Sequence, residues 1–109
     1  MQTSTSLTYG TLPSFEKFKN AFDGTCKPNI MKNKKNVFRI ELSDADADMF
    51  EALGLECQRI ATVEQVYALC EALVNTYHNY DASMSTVEQA AWAGDFCSGI
   101  LATLGFEWV

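Results

Sequence analysis

The sequence predicts an α+β fold, about four helices packed with a small two- or three-stranded sheet, in the order α-β-α-β-α-α with a tail that can add a last strand. Three observations carry that expectation. Two long stretches, 63–79 and 86–104, place apolar residues at helical spacing behind matching capping tetrads. One short run, Val37 to Leu42, alternates with period two. The composition is that of an ordinary globular chain, 48% apolar and 20% charged over 109 residues, enough for one domain and a core that needs no disulfide staples. The expected organisation is a flexible leader over residues 1–11, rich in Thr and Ser, then a single domain over 12–109.

The first helix is expected from Leu12 to Phe22, with Thr11 as cap, Pro13 in the first turn and Gly24 beyond the end. Phe15, Phe18 and Phe22 share its inner face. Thr25 to Asn36 reads as a loop that carries Lys27, Lys32, Lys34 and Lys35. Val37 to Leu42 is a half-buried strand, with Phe38, Ile40 and Leu42 on one side and Arg39 and Glu41 on the other. Ser43 then caps a short helix, Asp44 to Leu53, which Gly54 stops. Leu55 to Ile60 is assigned to a second strand.

Thr62 and Gln65 form a capping box for a helix from Val63 to Asn79, whose inner stripe is Val66, Leu69, Cys70, Leu73 and Tyr77. After a loop at 80–85, the last helix runs from Thr86 to Leu104, capped by Ser85 with Glu88 or by Thr86 with Gln89. Ala90, Ala93, Cys97, Ile100 and Leu104 form its stripe, and Val87, Ala91, Gly94, Ser98 and Leu101 form a flank of mostly small residues that permits close backbone approach. Phe106 to Val109 alternates. The tetrad at 62–65 recurs at 86–89, but the stretches then diverge, so shared capping chemistry explains the echo better than a repeat.

Charge is sorted along the chain. Residues 1–40 carry +5, whereas residues 41–109 carry twelve acids against Arg59 alone, or −11, for a total of −6. A surface of that sign repels nucleic acid and anionic membrane and attracts basic protein surfaces. Four lysines with Phe38 as their one aromatic neighbour are a thin case for direct nucleic-acid binding. No run is long enough to span a membrane, and the first residues lack the basic and apolar regions of an export signal. A cytoplasmic setting with Cys26, Cys57, Cys70 and Cys97 reduced is therefore expected.

Chemistry-bearing motifs are weak. Asp44, Asp46 and Asp48 resemble the start of an EF-hand loop, but Met49 stands where the loop needs Gly and Leu55 where it needs a bidentate Glu. The cysteines are spaced 31, 13 and 27 residues apart, without the close pairs that zinc requires. His78, the one histidine, lies one turn from Glu71 and Asn75, a poor basis for nucleophilic catalysis. No catalytic residue, metal or cofactor is assigned, and the expectation is a protein that is not an enzyme.

The leading functional expectation is a small acidic binding module, an inhibitor that occupies a basic, nucleic-acid-handling surface of a protein partner. Phage anti-defence and anti-CRISPR proteins that mimic nucleic acid are analogues in size and charge alone. The expected contact residues are Asp44, Asp46, Asp48, Glu51 and Glu56, joined by Glu88, Trp92 and Asp95 on the last helix. A second reading is a structural or assembly subunit that self-associates as a homo-oligomer through its oppositely charged halves, and a third is a small enzyme or metal protein.

Overall fold

Capping chemistry sets the frame of the computed structural model, which describes residues 5–28, 36–79 and 86–109. Its elements are β1 (Thr5–Leu7), α1 (Phe15–Thr25), β2 (Lys27–Pro28), β3 (Asn36–Arg39), α2 (Asp44–Leu53), β4 (Ile60–Ala61), α3 (Val63–His78), α4 (Val87–Thr103) and β5 (Phe106–Trp108). The fold is α+β and mostly helical. The stretches 29–35 and 80–85, which hold most of the lysine-rich loop and the alternative cap Ser85, lie outside the described residues, as do residues 1–4.

The centre of the molecule is the pair α3 and α4. Each opens on a reciprocal box: Thr62 Oγ1 accepts from the Gln65 amide and Gln65 Oε1 from the Thr62 amide, and Thr86 with Gln89 repeats the arrangement. Such boxes satisfy helix-end amides that otherwise lack intrahelical partners. The two helices run antiparallel, since Gly94 faces Tyr77 while Cys97 faces Cys70. Val66, Leu69, Cys70 and Leu73 from α3 and Ala90, Ala93, Cys97, Ile100 and Leu101 from α4 are all buried. The small-residue flank is divided: Gly94 and Leu101 are buried, whereas Val87 and Ala91 are exposed. At Gly94 the approach is close enough that a Cβ would stand 3.1 Å from Tyr77 Cδ1.

On this pair α1 packs through Phe18 and Phe22, both fully buried, each contributing about 2–3 kcal/mol of hydrophobic stabilisation. The helix starts three residues later than Leu12. Ser14, not Thr11, is the N-cap, because Thr11 Oγ1 is already engaged in a turn with the Thr8 carbonyl, 2.6 Å away. Pro13 precedes the cap, and its carbonyl accepts from Tyr67 Oη at 2.8 Å. The helix continues through Gly24 to Thr25. Phe15, in the first turn, is left 39% exposed and meets Tyr67 edge-on.

Two small sheets close the fold. β3 lies between β2 and β4, antiparallel to both, with Phe38 opposite Ala61. The strand expected over Leu55–Ile60 is reduced to Ile60–Ala61. The strand expected over Val37–Leu42 ends at Arg39, and Val37 is its buried residue while Phe38, on the side expected to face inward, is half-buried. The second sheet pairs β1 with β5 in parallel, Thr5 opposite Phe106 and Leu7 opposite Trp108. Residues 5–7, placed by composition in the leader, thus join the last strand. Trp108 Nε1 donates to the Thr11 carbonyl at 2.8 Å and His78 Nε2 to the Gly10 carbonyl at 2.8 Å. Because a carbonyl only accepts, that His78 nitrogen carries a proton. Gly10 sits at φ +81°, hard against His78 and Tyr77, where a side chain would be both strained and crowded.

Candidate functional site

Helical periodicity divides the acids of α2 into two faces. Asp44, Asp48 and Glu51 fall at i, i+4 and i+7 and form one exposed stripe. Asp46, two residues from Asp44, faces the other way with Phe50 and is half-buried. Ser43 caps the helix by accepting from the Asp46 amide at 3.2 Å, and Gly54 in the left-handed conformation ends it. Asp44 and Asp46 in the first turn also complement the helix dipole.

The inner face docks α2 on α4. Trp92 Nε1 donates to Asp46 Oδ1 at 2.9 Å. Beneath that bond Phe50 meets Trp92 and Phe96 edge-on, with ring centroids 5.0 and 5.2 Å away. Trp92 and Phe96 in turn lie 5.3 Å apart along α4. Asp46 and Trp92, both expected at a partner contact, therefore serve first as the bracket that holds the acidic helix. The clue was in the spacing, since an Asp two residues from each of its neighbours on a helix cannot share their face.

On α4 the bracket is flanked by Glu88, one turn before Trp92, and Asp95, one turn after it, both exposed. Glu56 belongs elsewhere: it lines a cavity of about 250 Å³ between the segment after α2 and Gln65, Ala68 and Ala72 of α3. The one ion pair among the described residues is Lys19 with Asp23 at 3.1 Å, within α1. Among the described residues no base forms an ion pair with Asp44, Asp48, Glu51, Glu88 or Asp95.

A second feature borders this surface and escaped the sequence reading. The end of β3 and the outer face of α4 form an open groove of about 480 Å³, floored by Phe38, Phe96 and Ile100. Arg39, Glu41 and Asp95 also line it, and on its α4 side Gly99 contributes no side chain. Its parts come from residues 38–41 and 95–103, and no local pattern joins two segments so far apart.

Other reactive groups are engaged or buried. All four cysteines are free thiols. Partial burial pushes the thiols of Cys26 and Cys57 up. The contact with Cys97 and full burial push Cys70 well up. Among the described residues no cluster of three or more His, Cys, Asp or Glu could hold a metal ion, and no helix is long and apolar enough to cross a membrane. Comparison with family models, with curated proteins and with solved structures finds no match for this chain.

Proposed function

We propose that this protein is an acidic binding module that acts by occupying a basic, nucleic-acid-binding surface of a partner protein. The observation that carries the reading is the exposed stripe Asp44, Asp48 and Glu51, on a helix that the Asp46–Trp92 bond fixes to α4, and with no described base in an ion pair with it. Carboxylates at successive helical turns, fixed by a packed helix, can stand in for phosphates on a cationic surface. Because the stripe is pre-organised, little side-chain and segmental ordering opposes binding. A cytoplasmic setting fits the four free thiols.

The test is a capture from bacterial lysate with a salt series, using the wild-type chain and an Asp44→Lys, Asp48→Lys, Glu51→Lys variant as bait. A nucleic-acid-binding protein that is retained by wild type, released by salt and absent with the variant supports the proposal. Equal capture by both baits contradicts it.

One observation favours the second reading, self-association. Tyr9 and Val109, 50% and 69% exposed, sit side by side at the β1–β5 sheet, where the Tyr9 amide donates to the Val109 carbonyl at 3.0 Å. A monomer at high concentration and low salt, measured by light scattering, would remove it.

A further inference from the structure

The groove between β3 and α4 differs from the stripe in what it can bind. Its floor is apolar and firm. Phe96 is fixed by Phe50 and Trp92, and Ile100 is buried in the core, while Phe38 is held in register opposite Ala61. Its volume of about 480 Å³ lies within the range of pockets that accept one bulky group. The α4 wall is open because position 99 is glycine, and a Cβ built there meets nothing within 4 Å. Thr103 turns its hydroxyl back to the Gly99 carbonyl at 3.0 Å and so does not offer it to the groove.

We propose that this groove is the anchoring pocket for the partner, taking an aromatic or large aliphatic side chain carried on a segment with lysine or arginine on both sides. The inference rests on the acidic-module reading and names the chemistry of the partner segment. Charge selects the occupant. Glu41 and Asp95 line the groove against Arg39 alone, and Asp95 shares the exposed face of α4 with Glu88. An acidic or neutral apolar segment would meet this field unfavourably or without gain, whereas a basic one places its cations on the carboxylates as its apolar side chain descends. The pairing of one buried apolar anchor with a charged rim is the arrangement that concentrates binding energy in few residues.

The experiment titrates two peptides, acetyl-Lys-Lys-Phe-Lys-Lys-amide and its central Ala counterpart, into isotopically labelled protein at low salt. Amide shifts report both affinity and location. The expected result is roughly tenfold tighter binding of the Phe peptide, from burial of one aromatic side chain, with shifts centred on Phe38, Phe96 and Gly99. Gly99→Leu fills the groove from a helical position with open space, and should reduce the Phe peptide to the Ala peptide's affinity. Its melting temperature should match or exceed wild type, and the shift map on the unaltered chain does not depend on that variant. Equal affinity of the two peptides, with both weakened by Asp44→Lys, Asp48→Lys, Glu51→Lys, would overturn the groove and leave the acidic reading standing. Absence of binding by either peptide would overturn both.

Discussion

Removing the Asp46 carboxylate should free α2 from α4, and the size of the effect follows from the geometry. A hydrogen bond to a charged acceptor contributes about 1.5–3 kcal/mol. Asp46 and Trp92 are both half-buried, so water reaches the indole N–H once the carboxylate is gone, and the lower end of that range applies. Asp46 also sits in the first turn of α2, where a negative charge adds about 0.3–1 kcal/mol against the helix dipole. Asp46→Ala is therefore expected to destabilise by about 2 kcal/mol. With a urea dependence of about 1–3 kcal/mol per molar, the unfolding midpoint should fall by about 1 M. Trp92→Phe keeps a ring between Phe50 and Phe96 but loses the donor. A double-mutant cycle of the two substitutions isolates the bond, with an expected coupling of about 1–1.5 kcal/mol. Amide exchange in α2 should quicken in each single mutant. A coupling below about 0.5 kcal/mol, the usual error of additivity, would refute the bracket.

Further expectations concern the α3–α4 contact, the thiols and acid stability. Gly94→Ala should destabilise by about 1–2 kcal/mol, since its methyl would press on Tyr77, whose ring is packed between Tyr9 and Trp108, and the gain in helix propensity of about 1 kcal/mol does not offset that crowding. Gly99→Ala, with nothing within 4 Å of its Cβ, should instead stabilise by up to about 1 kcal/mol, and urea unfolding of the two variants reads the opposite signs. With Ellman's reagent, half-buried Cys26 and Cys57 should react slowly in the native state, their thiols being raised, while Cys70 and Cys97 should react only on unfolding. Hydrogen bonds from Lys19 and then Asn36 hold the Asp23 carboxyl below its ordinary value of 3.8. Its contribution to stability is thus present above that value and lost as pH falls through the depressed one. Asn36→Ala should raise the Asp23 titration midpoint read by carboxyl NMR, and an unchanged midpoint would discount the Asn36 bond.

What could be read from the sequence was whatever local chemistry specifies. Ser43, Gly54 and the two Thr-Gln boxes bound α2, α3 and α4 because each cap needs only neighbours within a turn. At the start of α1 the expected cap, Thr11, is taken up in a turn with Thr8, a contact the helical pattern does not announce, and Ser14 caps the helix instead. β1 is three residues with no alternation, stabilised by a strand about a hundred positions away, so nothing within it announces a strand. β2 and β4 are two residues each, too short for any period. For the site, acidity was legible and its division was not drawn. The stripe at 44, 48 and 51 survives as a surface, Asp46 and Trp92 turn toward each other, and Glu56 is set apart against α3. The groove required the tertiary meeting of β3 with α4.

The most direct test of the central claim is a competition on a captured nucleic-acid-binding partner, following release of its labelled DNA or RNA as this protein is added. The account predicts release by the wild-type chain, weakening with salt, and none by the Asp44→Lys, Asp48→Lys, Glu51→Lys variant, which should retain the wild-type fold because these side chains are exposed. Release by that variant at wild-type concentrations, or a ternary complex in which nucleic acid stays bound, would contradict it.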